Sequence, residues 1–109
     1  MTVAELAEKL GLNAVSLPEP DRVVSGAYIG DLLSWVMGRA KADNVWITIM
    51  SNVNVVAVAS LADVSCVILA EGVTLDDEVL TAAKEKGINI LSTEDNSYNT
   101  AVKLSGIMS

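Results

Sequence analysis

The sequence predicts an α/β fold, a mostly parallel sheet of about four to five strands covered by helices. Three observations carry this expectation. From Val45 onward, short β-branched runs alternate with stretches of helical periodicity, in the order strand, helix, strand, helix, strand, helix. Such alternation calls for right-handed crossovers that bring each strand back parallel to its neighbour. Hydrophobic residues make up 51% of the 109 residues but include no Phe, so aliphatic side chains fill the interior, as suits helices layered on a sheet. No internal repeat or low-complexity tract divides the chain, which reads as one domain over residues 1–109.

Thr2 caps a first helix, with Glu5 three residues on to complete a capping box. Val3, Leu6, Ala7 and Leu10 form its apolar face, and Gly11 ends it. Leu12–Leu17 reads as a short strand, and Pro18 and Pro20 bracket a rigid turn. Arg22–Ile29 is rich in Val, Tyr and Ile and reads as a second strand, with Gly26 inside it marking a bulge or a close backbone approach. Asp31 is placed to cap a short helix running through Leu32, Leu33, Trp35, Val36 and Arg39 to about Lys41. Val45–Met50 is a central strand by its β-branched content. Asn52 or Asn54 caps the next helix, through Val55, Val58, Ala59 and Ala62. Val64–Ala70 is a buried strand ending at Glu71-Gly72. Thr74 caps a helix through Asp77, Val79, Leu80, Ala83 and Lys84, with acids early and lysines late as the helix dipole prefers, and Gly87 stops it. Ile88–Leu91 is a further strand, and Asp95 or Ser97 opens a last helix through Ala101, Val102 and Leu104. Whether the first two strands join the parallel set or pair apart from it stays open.

Composition narrows the function. A net charge of −7 repels phosphate backbones and argues against nucleic-acid binding. The absence of histidine removes the commonest general base and the commonest zinc ligand. The single cysteine, Cys66, cannot form an internal disulfide, and a cytoplasmic setting is expected. Glu5, Glu8 and Lys9 interrupt the start, against a signal peptide. The apolar run Val45–Ala70 has the length of a membrane span, but Asn52, Asn54 and Asp63 punctuate it where elements should end, so it reads as strand, helix and strand.

The leading site candidate is Ser51-Asn52-Val53-Asn54, after a central strand and before a helix. Ligands of parallel sheets bind beyond the carboxyl ends of strands, and a helix N-terminus offers unpaired N–H groups. Plain helix capping explains the same residues. Glu71-Gly72 and Ser92-Thr93-Glu94 end the next two strands and would complete one rim, or serve only as turns. Acids there would repel a free phosphate unless a metal or an arginine, Arg22 or Arg39, compensates. GAYIG (Gly26–Gly30) lacks the spacing of a dinucleotide fingerprint and the ending of a P-loop, so Gly26, Gly30 and Asp31 read as backbone and capping residues. No cofactor motif and no metal-ligand spacing is present, so neither group is expected.

Two segments, GAYIGDLLSWVMGRA (Gly26–Ala40) and VWITIMSNVNVVAVASLAD (Val45–Asp63), resemble the DRTGG domain family. VILAEG (Val67–Gly72), KEKGINILST (Lys84–Thr93) and YNTAVKL (Tyr98–Leu104) fit the same pattern, although the literal DRTGG string is absent. The resemblance implies a fold similar to the N-terminal domain of HPr kinase/phosphorylase. It implies a regulatory or association module found beside CBS pairs, in phosphotransacetylase-like proteins or alone. Relatives often carry a histidine where this chain has Asn52. With self-association implied, Trp35 and Met37 on the short helix become candidate homodimer contacts. The expected function is a non-catalytic regulatory module that self-associates and binds a small metabolite at the rim. One rival is an enzyme of acyl or phosphoryl substrates with Glu71 and Asp31 as acid and base. The other is an adenine-nucleotide sensor acting with CBS partners.

Overall fold

The computed structural model describes residues 1–108, which form five helices and five strands. In chain order these are α1 (Val3–Leu10), β1 (Asn13–Ser16), β2 (Ala27–Ile29), α2 (Leu33–Arg39), β3 (Val45–Thr48), α3 (Val53–Ala62), β4 (Cys66–Leu69), α4 (Asp77–Glu85), β5 (Ile90–Ser92) and α5 (Ser97–Met108). They build one sheet in the order β1-β5-β4-β3-β2. β2 to β5 run parallel, while β1 lies antiparallel to β5. The two strands whose placement the sequence leaves open therefore take the two edges.

Strand periodicity sorts the core into two layers. Trp46, Val67, Leu69 and Ile90 face one way and pack with Val36 of α2, Val55, Val56 and Ala59 of α3, and Val79 and Ala83 of α4. Val45, Ile47, Cys66, Ile68 and Leu91 face the other way and pack with Val3 and Leu6 of α1 and Leu104 of α5. The central strands are buried on both faces, so they read as continuous apolar runs rather than alternating ones. Truncating one such side chain, for example Ile68→Ala, costs about 2–5 kcal/mol on the usual scale for core cavities.

α1 begins as the sequence predicts. Thr2 Oγ1 accepts from the Glu5 N–H at 3.2 Å, and Glu5 Oε1 accepts from the Thr2 N–H at 3.1 Å. The predicted strand Arg22–Ile29 shrinks to Ala27–Ile29. Gly26 precedes it at φ +75° instead of lying within it, and a left-handed residue breaks extended pairing. Upstream of Gly26 the chain bonds elsewhere. The Val3 N–H donates to the Arg22 carbonyl at 2.9 Å, Val24 N–H to Met1 at 3.0 Å, and Ser25 N–H to Asp43 at 2.8 Å.

Three predicted caps also move. Asp31 does not cap α2; Leu32 holds the N-cap position with no side-chain bond. Asp31 Oδ1 instead accepts from Thr48 Oγ1 at 2.8 Å and from the Ile49 N–H at 3.0 Å. The Ile49 N–H lies beyond the last ladder residue of β3, and a carboxylate satisfies it better than solvent does. Asp76, not Thr74, precedes α4, without a side-chain bond. Asn96, between the two predicted candidates, caps α5 by accepting from the Asn99 N–H at 2.7 Å. Asp95 is occupied with Asn99 Nδ2 at 3.0 Å and Lys103 Nζ at 2.9 Å.

Candidate functional site

β3, β4 and β5 are adjacent and parallel, so the turns at their carboxyl tips share one edge of the sheet. Ser51–Asn54, Glu71-Gly72 and Thr93 are brought together on this rim, and Asp31 joins them from the tip of β2. Main-chain bonds knit it. The Ala70 N–H donates to Thr48 at 3.1 Å, Thr93 N–H to Leu69 at 2.9 Å, Gly72 N–H to Thr93 at 3.0 Å, and Glu71 N–H to Asp95 at 2.7 Å.

Asn52 caps α3 by accepting from the Asn54 N–H at 2.9 Å, which settles the choice between the two asparagines as cap. Asn52 and Asn54 are exposed and Ser51 is half-buried. Glu71 (φ +64°) and Gly72 (φ +72°) form a tight turn of the I′ type, closed by the Val73 N–H on the Ala70 carbonyl at 3.3 Å. A Cβ on Gly72 would lie 2.6 Å from Glu94 Oε2, so a second carboxylate rests directly over this turn. Glu71 Oε2 accepts from the Ser97 N–H at 3.1 Å.

The rim is thus acidic, with Asp31, Glu71, Glu94 and Asp95, and its lysine, Lys103, is paired to Asp95. The side-chain bonds from Lys103 and Asn99 hold the Asp95 carboxyl below the usual aspartate value. Neither arginine compensates this charge. Arg22 sits at the opposite edge, before β3 and β4, bound to Asp43 at 3.2 Å and Asp63 at 2.7 Å. Burial works against its charge, but the bonds to Asp63 and Asp43 outweigh this and raise its pKa. Arg39 stacks over the Trp35 ring at 3.7 Å.

Asp31 and Glu71 end β2 and β4 with β3 between them, so about 10 Å of sheet separates their backbones. Each is bound to main-chain N–H groups rather than to the other. Among the described residues, no three His, Cys, Asp or Glu side chains gather as a metal-binding cluster. Cys66 is buried, and burial pushes its thiol up to about 12, far from a reactive thiolate.

At Gly30 the constraint is a neighbouring side chain rather than the backbone conformation that the sequence suggests. A Cβ there would strike the Tyr28 ring at 2.9 Å, and its carbonyl accepts from Trp46 Nε1 at 2.9 Å. The two tryptophans part company: Trp46 is fully buried, whereas Trp35 is 52% and Met37 51% exposed. Sequence reasoning missed a cleft of about 370 Å³ away from the rim, between β2, β3 and α5. Its signal was faint: Ala101, Leu104, Ser105 and Met108 recur at helical spacing, but only Leu104 is core.

Among the described residues no helix is long and apolar enough to cross a membrane. The family model of the DRTGG domain matches residues 5–107. No curated protein matches the chain in sequence. The fold is similar to that of the CBS and DRTGG domains of the regulatory region of Clostridium perfringens pyrophosphatase, solved with its activator diadenosine tetraphosphate. The TM-score is 0.74 at 16% identity, over 94% of this chain and 45% of that one, so the chain spans less than half of its neighbour. A match over nearly the whole length, joined to this sheet and these helices, leaves one conclusion: the chain belongs to the DRTGG domain family.

Proposed function

We propose that this protein is a non-catalytic regulatory module, which self-associates and takes a small polar metabolite at the rim formed by Ser51, Asn52, Asn54, Glu71, Gly72 and Thr93. The observation that carries this reading is the shared edge of three parallel strand tips, lined by polar side chains with no reacting pair among them. Its charge selects the ligand class. Four carboxylates without a free cation repel a bare phosphate, so a neutral or cationic polar molecule suits the rim better. Trp35 and Met37, half-exposed on α2, are candidate contacts of the self-associated form.

A second reading is an adenine-nucleotide sensor acting with CBS partners. Its support is the similar pyrophosphatase regulatory region, whose CBS and DRTGG domains were solved in complex with a dinucleotide activator. Under this reading the acidic rim leaves phosphate recognition to the partner or to a bridging cation. A thermal-shift screen separates the two, because a ligand that binds only the native state raises its melting temperature. Polyamines, amino acids and sugars should shift the protein alone, and Asn54→Ala should abolish the shift. A shift with diadenosine tetraphosphate or ATP, and none with uncharged or cationic molecules, favours the second reading. Turnover of acetyl phosphate and coenzyme A by the purified protein would overturn both.

A further inference from the structure

β2 is an edge strand, and among the described residues no strand pairs with its outer side. The Val45 N–H donates to the Gly26 carbonyl at 3.0 Å and the Gly30 N–H to the Ile47 carbonyl at 3.2 Å. The main chain at Gly26, Tyr28 and Gly30 therefore faces β3, and that of Ala27 and Ile29 faces outward. Natural edge strands are normally guarded by charge, proline or a bulge. From Gly26 to Gly30 there is no charged residue and no proline. The first acid beyond, Asp31, is turned inward to Thr48 and Ile49. The cleft of about 370 Å³ beside this strand is lined by Ala27, Ile29, Ala101, Leu104 and Met108 among others, and carries no charged side chain.

We infer that β2 pairs with β2 of a second copy, antiparallel about a two-fold axis at Tyr28, so that one sheet runs through both molecules. The self-association proposed above is the premise, and this names its surface. Three features select a second copy as the occupant. The outward groups are self-complementary: Ala27 of each copy meets Ile29 of the other, and the two pairs exchange both of their N–H···O bonds. Charge selects the place. Two copies at −7 each repel over most of their surfaces, and this strip is uncharged. Size then requires the flanks. A stable interface takes about 800 Å² per partner, about one-seventh of the 5601 Å² surface, which a three-residue strand cannot supply alone. α2, with Trp35 and Met37, lies over one face of this edge, and α5, with Val102 52% and Tyr98 75% exposed, lies on the other. Partner α5 helices stand about 14 Å apart if each sits over its own β3, wider than helix contact, so side chains from both must fill the joined clefts.

Sedimentation equilibrium at tens of micromolar should give twice 11.4 kDa for the wild type and 11.4 kDa for Ile29→Lys, whose side chain is half-exposed. In Tyr28→Cys, the facing residues form a non-hydrogen-bonded pair with Cα atoms about 4.5 Å apart, within disulfide reach. Mild oxidation should link that variant into a covalent dimer, while buried Cys66 stays out of the reaction. A wild-type monomer overturns both this surface and self-association itself. A wild-type dimer with Ile29→Lys still dimeric, or with Tyr28→Cys dimeric but unlinked, overturns only the β2 surface. Should Ile29→Lys fail to fold, the cross-link decides alone.

Discussion

Asn89 shows how one buried side chain organises a segment without regular structure. It is 2% exposed, yet both its amide oxygen and its amide nitrogen are hydrogen-bonded. Its Oδ1 accepts from the Glu19 N–H at 2.9 Å, and its Nδ2 donates to the Glu19 and Ser65 carbonyls at 2.7 and 3.0 Å. Nearby, Ser65 Oγ lies between the Val23 and Asp43 carbonyls, and Arg22 ties Asp43 to Asp63. These residues hold the stretch from Leu17 to Gly26 against the amino ends of the strands. Asn89→Ala would leave main-chain groups buried and unpaired, so it should cost about 3 kcal/mol in urea unfolding, with the slope unchanged. A loss below about 1 kcal/mol would mean that water replaces the amide. Asp95 makes a different prediction, in pH. Its bonds to Lys103 and Asn99 lower its native value from the ordinary 3.8, so its stabilisation is present above that value and lost as pH falls through the lowered one. Asp95→Asn should therefore flatten the acid limb of the melting-temperature profile below about pH 4 and leave the neutral arm parallel to the wild type.

At the scale of elements, Asp31 joins the two halves of the proposed rim. The carboxylate spans from the tip of β2 to the tip of β3 through Thr48 and Ile49. Asp31→Ala should destabilise by about 1–3 kcal/mol, the range for a charge-assisted bond lost from a partly buried site, while Asp31→Asn, which still accepts, should recover most of it. Equal losses in both variants would show that charge matters and the acceptor does not. The displacement of Asp31 from its expected cap also shows what the sequence could and could not reveal. The central strands were legible because burial on both faces makes them unbroken apolar runs. α1 was legible because a capping box is a local pattern. The second strand was misjudged at Val23 and Val24, whose β propensity is spent on a bridge to Thr2 and a bond to Met1, contacts made by tertiary structure. The caps at Asp31 and Asp95 failed for a similar reason. An Asp near a helix start is a candidate cap, but a distant N–H or lysine claims Asp31 and Asp95 first, whereas α4 starts later than Thr74, at Asp77. For the rim, residue order along parallel strands was enough to gather the tips on one edge. That neither arginine serves this edge depended on Asp43 and Asp63, whose pairing with Arg22 no spacing announces.

For the whole molecule, Cys66 reports whether the two core layers open together. It sits on β4, the middle strand of the sheet, with no exposed surface, and burial raises its thiol to about 12 against a small opposing effect of Arg22. Both access and thiolate fraction are thus withheld in the native state. A thiol reagent can then reach it only through an opening that separates α1 and α5 from the sheet, since those helices cover its layer. If this layer parts only when the opposite one does, the labelling rate measures global unfolding. A domain stable by about 5 kcal/mol or more would be labelled at least a thousandfold more slowly than the unfolded chain. Asn89→Ala, at the amino end of β5, supplies the test case. Cooperative opening converts its loss of about 3 kcal/mol into roughly a hundredfold faster labelling, because each 1.36 kcal/mol is worth a factor of ten. A labelling rate indifferent to Asn89→Ala would instead show that α1 and α5 lift from the sheet as a unit of their own. The cleft beside α5 would then lie on the less stable side of the molecule, open to rearrangement without loss of the rim.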